Sequence, residues 1–464
     1  DSAIEDLFFT NNTVVNNADD GFKLRREDEG RMQVVNERPG QRRAVTIRGN
    51  TFIGNGFNAP SETLTPTTSE QRGAGIDIHA IHGSIDLQDL EIVRNVIEAN
   101  TGNNTSGILL RAEADARVLV DIEDNRIRYN AADGIELSSR QNDGTDVRQV
   151  GGTWTKNTIT DNGNHGIQII GRHGLFDMIS ELVLVSGAET VVTPLFIGIE
   201  GVDPLDGKDR GNILESNAMD GITVNATGFI SFANNSVKYN GTGGIDIDPG
   251  APHTMSIKAS EISENFGIGI DINANSQVVT TIRENVIRNN IDSNTSDAVV
   301  TGDGIELRTS RTGTLHLTAT GNFIEGNDGR GVDLLNLGIT QLKIGDPTLP
   351  MDTGRNHIVG NNHEGIYVVN TAAYDPDNNC VQTQDVVSTV PLLDCGPVGA
   401  APDIMLHVDT NTVEDNGQGT GFIGTGLVVR AGTVGGGSSN WGRRDPSGDV
   451  ERRGGEGAGI ATGV

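Results

Sequence analysis

The chain has 464 residues, 62 of them glycine, with aromatic residues at 4%, charged residues at 21% and a formal net charge of -29. That excess of acids repels phosphate backbones and anionic lipid, so nucleic acid and direct membrane insertion are excluded as expected partners; no apolar run reaches the roughly 20 residues of a membrane helix. Few aromatics and many glycines point to an interior of Ile, Val and Leu and to a path with many tight turns.

One phrase returns along the chain: N-x-[IVL]-x-x-N, a short spacer, then G-[IVL]-x-[IVL]. It starts at Asn12, Asn50, Asn95, Asn125, Asn157, Asn212, Asn235, Asn285, Asn322, Asn356 and Asn411, with a degenerate copy at Ser260. Between Asn212 and Asn285 the copies are 23, 25 and 25 residues apart, room for three short strands and three turns. About a dozen such units read as coils of a solenoid.

Within each coil the first predicted strand lies upstream of the leading Asn, where positions five and three before it are apolar: Val45 and Ile47, Leu90 and Ile92, Val120 and Ile122, Ile230 and Phe232, Met255 and Ile257, Leu406 and Val408. This alternation of period two marks half-buried strands. The second strand is N-x-[IVL] and the third is G-[IVL]-x-[IVL]. No coil can bury its own edge, so coils are expected to stack about 4.8 Å apart into parallel sheets around an aliphatic core. Asn is expected at the corners because it tolerates left-handed backbone and can bond to its copy in the next coil, and the Gly is expected to supply a further permissive corner.

Segments 56–74, 172–210, 336–355 and 371–403 break the period and are expected as loops leaving the corners. Two share a theme, "IEGVDPLDGKDRGN" from Ile199 and "KIGDPTLPMDTGRN" from Lys343. The last segment holds both cysteines, Cys380 and Cys395, expected as a disulfide suited to an oxidising, extracellular compartment. Leu7 and Phe9 already hold first-strand positions before Asn12, and "GEGAGIATGV" resumes the phrase at 455–464. The chain is therefore expected to be a segment of a longer one, or to continue by head-to-tail docking with another copy.

These residues resemble the right-handed parallel β-helix repeat family with its pectate-lyase-like superfold, and the resemblance covers nearly the whole chain. It implies an all-β fold: one right-handed parallel β-helix over 1–464, a solenoid of about twelve three-stranded coils with irregular loop insertions. The Asp-Pro turns are similar to those of the tandem β-helix repeats of large bacterial surface proteins.

The middle position of G-[IVL]-x-[IVL] faces outward, and it reads Asp246, Asp271, Glu306 and Asp333 in successive late copies, with Asp77 and Glu136 earlier. Carboxylates about 5 Å apart repel, so a calcium ion, raised pKa values or bases such as Arg308 and Arg330 are needed to compensate. Candidate calcium ligands are Asp246, Asp248, Asp271, Glu306 and Asp333. Pectate lyases place calcium on such acids and use an Arg or Lys base, so the resemblance implies Asp271, Glu306 and Arg308 as candidate catalytic residues. The histidines, His165 in an Asn-His-Gly spacer among them, have no metal-site spacing, and His173 in "GRHG" reads as a polar loop residue.

The expected function is a non-catalytic structural or adhesive solenoid outside the cell or on its surface, self-assembling end to end, needing no cofactor or stabilised by calcium. The alternative is a lyase, hydrolase or epimerase of acidic polysaccharide. Only two Trp and four Tyr are available as sugar platforms.

Overall fold

The computed structural model describes residues 3–5, 7–27, 31–33, 44–57, 73–81, 84–85, 90–102, 104–113, 116–140, 149–172, 195–202, 207, 209–226, 228–249, 252–292, 302–375, 380–383, 392–394, 403–417, 426–433, 443–444 and 450–451. They form two compact units, Asp1–Phe266 with Val279–Val286, and Gly267–Val278 with Ile287–Val464. Each is built of three kinds of parallel sheet. In unit 1, sheet 1 stacks strands from Leu7–Thr10 to His253–Lys258, sheet 2 those from Thr13–Val15 to Glu261–Ser263, and sheet 3 those from Phe22–Glu27 to Gly243–Ile247. In unit 2, sheet 1 holds Thr314–Thr320, Ile339–Ile344 and Asp403–Val408. Sheet 2 there holds Phe323–Glu325, His357–Val359 and Thr412–Glu414; sheet 3 runs from Ile268–Ala274 through Ile305–Thr309, Val332–Asn336 and Ile366–Asp375 to Leu427–Thr433. Sheet 2 contributes one short strand per coil, twelve along the chain, giving a right-handed parallel β-helix of about twelve coils.

Register follows from the repeat. Ile135 lies opposite Ile167, and Ile167 opposite Ile222, so inward rows superimpose coil after coil. The first-strand residues Val45, Ile47, Leu90, Ile92, Val120, Ile122, Ile230, Phe232, Met255 and Ile257 are all buried. Leu406 and Val408 are half-buried.

The asparagines form two ladders. Where Asn follows Asn, the Oδ1 receives the main-chain N–H and the amide of the predecessor, as Asn125 does from Asn95 (2.9 and 3.0 Å), and the amide is donated onward, to Asn157 at 3.0 Å; Ser260 interrupts the first row. The second row does the same, Asn100 to Asn130 and Asn130 to Asn162. Left-handed backbone, expected at these asparagines, sits instead one residue earlier. Arg94, Asp124, Lys156 and Glu284 precede the first row, and Ala99, Tyr129, Asp161 and Glu264 the second, all at φ between 53° and 58°. The Asn is freed from making the turn and left to bond with its neighbours.

Glycine's role also differs from a permissive corner. Gly134 has no positive φ; a Cβ there would lie 2.3 Å from Ile159 Cγ2 and 2.6 Å from the Gly166 carbonyl. It is needed because the third strand passes this close to the next coil.

Parts of the expected loops are strands. Leu195–Ile197, within 172–210, and Ile339–Ile344, within 336–355, are sheet 1 strands. The chain leaves the stack between that strand and its Asn turn at Gly198 (φ 74°) and Gly345 (φ 87°); the second Asp-Pro segment includes one helical turn, Met351–Gly354, while Asp203 and Pro204 of the first lie outside the described residues. Spacing counted back from Asn212 and Asn356 could not find these strands, because the insertion separates strand from Asn. In 371–403, Cys380–Thr383 and Leu392–Asp394 pair antiparallel in a small ribbon begun by Ile366–Asp375. Most of 56–74, the partner cysteine Cys395 and the tail at 455–464 lie outside the described residues.

Candidate functional site

The outward rows of sheet 3 carry the charge. In unit 2, Asp271 stands opposite Glu306 and Glu306 opposite Asp333, the arrangement expected from the repeat. The row is not an open stripe: Glu306 is 6% exposed, while Asp271 and Asp333 are half-buried. Arg308, two residues along the same strand, pairs with Glu306. Arg330 reaches Asp333 at 2.7 Å and Glu364 at 3.0 Å, lies 4.0 Å over the Tyr367 ring, and donates its main-chain N–H to Asp303.

Five carboxyls, Asp271, Asp303, Glu306, Asp333 and Glu364, thus share two guanidiniums. Burial raises Glu306 to about 7, with the Arg308 charge opposing and the Asp333 charge assisting. Asp303, fully buried, is pushed well above the carboxylate range by burial, then by Asp333 and Glu306. Burial would pull Arg308 down, but Glu306 and Asp271 more than reverse it and raise it above the ordinary guanidinium value. The same balance raises Arg330, through Asp333, Asp303 and Glu364.

Asp246 and Asp248 belong to unit 1. Thr223 donates to Asp246 at 3.1 Å, and burial, with Asp220 next, raises Asp246 to about 6. Among the described residues no three His, Cys, Asp or Glu side chains converge as a metal site. In unit 2, Arg308 pairs with Glu306 and Arg330 with Asp333, the compensation by bases that was expected as one alternative to calcium.

Unit 1 holds two further charged clusters. Asp77 is wholly buried and pairs with Arg111 and with Lys23 at 3.1 Å; Lys23 also reaches Asp20 at 2.9 Å. Burial, then the Asp77 charge, raises Asp20 to about 6. In the second cluster the imidazole of His165 spans coils, Nδ1 lying 3.0 Å from Asp133 and Nε2 3.6 Å from Asp220. It is 8% exposed.

Asp20, Asp133, His165, Asp220, Asp303, Arg330 and Glu364 all occupy the slot just before the Gly that opens the third strand. That column was readable in the sequence. Six of the seven stand three residues after the second Asn of the phrase and only Asp303 lies farther, thirteen after Asn290; a search for alternation passes over the column because it lies in the spacer, between the alternating strands.

No match is found among curated proteins. The crystal structure of pectate lyase Pel9A is similar at 14% identity over 67% of this chain and 73% of that one, with a TM-score of 0.31, too low to bear on activity. Residues 147–344 match the family model described as a right handed beta helix region, and the stacked parallel sheets give the chain the right-handed parallel β-helix fold.

Proposed function

We propose that the protein is a non-catalytic structural or adhesive solenoid that works outside the cell, its coils stacking on those of other copies. The observation that carries this reading is how the charge on sheet 3 is disposed. Asp77 with Lys23 and Arg111, Glu306 with Arg308, and Asp333 and Glu364 with Arg330 are closed against one another, where an enzyme would leave such groups open to substrate. The ladders add stiffness along the stack, which suits a spacer or fibre element. Incubation with pectate and alginate, followed by absorbance of unsaturated uronates and by reducing-end assay, tests it; no product is expected. Electron microscopy with and without chelator tests end-to-end assembly and any part played by calcium.

The second reading is an enzyme acting on acidic polysaccharide. It is favoured by Glu306 near 7 beside the buried Asp303, whose pKa is also raised, and two arginines, a set able to hold a uronate and move a proton. Depolymerisation that disappears in Glu306→Gln without loss of fold would establish it over the first.

A further inference from the structure

His165 joins three consecutive coils of unit 1. Asp133, His165 and Asp220 precede the neighbouring sheet 3 strands Ile135–Arg140, Ile167–Arg172 and Ile222–Asn225, which pair in register. Asp133 Oδ1 accepts both the main-chain N–H of His165, at 3.0 Å, and its Nδ1, at 3.0 Å. Nε2 faces Asp220 Oδ2 at 3.6 Å on the other side. Asp220 is itself held by Thr242, whose hydroxyl donates at 2.6 Å, and Asp246, one coil further, adds a third negative charge.

A neutral imidazole has one N–H and one lone pair. If Nδ1 keeps its proton for Asp133, the lone pair on Nε2 points at a carboxylate; only the imidazolium can serve both. We propose that His165 is a proton-operated clamp across these three coils, closed when the ring is protonated and released on the Asp220 side when the proton leaves. Burial opposes the charged ring, but the Asp133 hydrogen bond and charge, with Asp220 and Asp246, more than reverse this and raise the His165 pKa. A raised histidine stabilises fully below its unfolded value, near 6.5, and that contribution is lost as pH climbs through the folded value. The clamp therefore belongs to mildly acid to neutral conditions and opens toward alkaline ones. The main-chain bonds it braces are Gly166 N–H to the Asp220 carbonyl and Gly134 N–H to the His165 carbonyl, each 3.0 Å.

The test is a proton NMR titration of the His165 ring in the full chain, assigned by the resonance lost in His165→Gln and shifted in Asp220→Asn. Hydrogen exchange of the amides at 164–167 is followed in parallel from pH 6 to 9 and corrected for intrinsic rate. The expected results are a midpoint above 6.5, lowered in Asp220→Asn, and corrected exchange that in wild type rises with a slope approaching tenfold per pH between 6.5 and the midpoint but is flat in His165→Gln. A midpoint at or below 6.5, or the same exchange profile in wild type and His165→Gln, overturns the proposal. Should His165→Gln fail to fold, the wild-type midpoint and its response to Asp220→Asn decide alone.

Discussion

Replacing Asn125 by Ala removes one rung from the first ladder. The side chain is 2% exposed and accepts from the Asn95 N–H and amide while donating to the carbonyl of Ile92 (2.9 Å) and to Asn157 (3.0 Å). The Asn95 amide keeps a second acceptor, the Ile47 carbonyl at 2.9 Å, but the Asn95 main-chain N–H loses the Oδ1 it donates to. An orphaned buried donor is destabilising by about 1–3 kcal/mol, and the remaining bonds contribute about 1 kcal/mol each, so the loss should be about 3–5 kcal/mol. Urea unfolding of the full chain by circular dichroism measures it, with hydrogen exchange at 95–100 showing whether the opening is local, since coils of a solenoid need not unfold together. A loss under about 1 kcal/mol at unchanged urea dependence would refute the ladder as a principal stabiliser.

Ser260 tests the same idea in reverse: its hydroxyl accepts from Asn235 N–H at 3.1 Å but supplies no amide. Ser260→Asn should reach Asn285 and the Phe232 carbonyl, as Asn235 reaches the Ile197 carbonyl, and raise stability by about 1–2 kcal/mol in the same unfolding assay. Glu306, raised to about 7, contributes stability that is complete below its unfolded value and lost as pH rises through 7; the change is at most about 3 kcal/mol, and Glu306→Gln should flatten the curve of melting temperature against pH between 5 and 8. At Gly198 a Cβ would stand 2.0 Å from the Ala233 carbonyl oxygen on left-handed backbone, so Gly198→Ala should destabilise by more than about 2 kcal/mol, read by thermal melting.

The coils were legible because their cause is local: an apolar residue at every second place, and a polar one that recurs where the path bends. Asp271, Glu306 and Asp333 could be placed together for the same reason, since a fixed distance from Gly fixes their register. What escaped was set by packing. The Asp-Pro segments after Leu195 and Ile339 marked a detour, but not that a core strand stands before each one. Nor does the middle slot of a third strand show whether its acid meets water or, like Asp77 and Glu136, ends wholly buried. Arg308 was singled out through the family resemblance; what the strand adds is its ion pair with the acid two places back.

The residues that carry the left-handed turn differ in kind from the rest of the coil. Arg94, Asp124, Lys156 and Glu284 occupy one corner, and Ala99, Tyr129, Asp161 and Glu264 the other, so charge, size and aromaticity change from rung to rung while the backbone angle does not. Conformation is fixed at these places and chemistry is free. Drift or redesign can therefore rewrite two columns of surface lettering without touching the interior that keeps the coils in register.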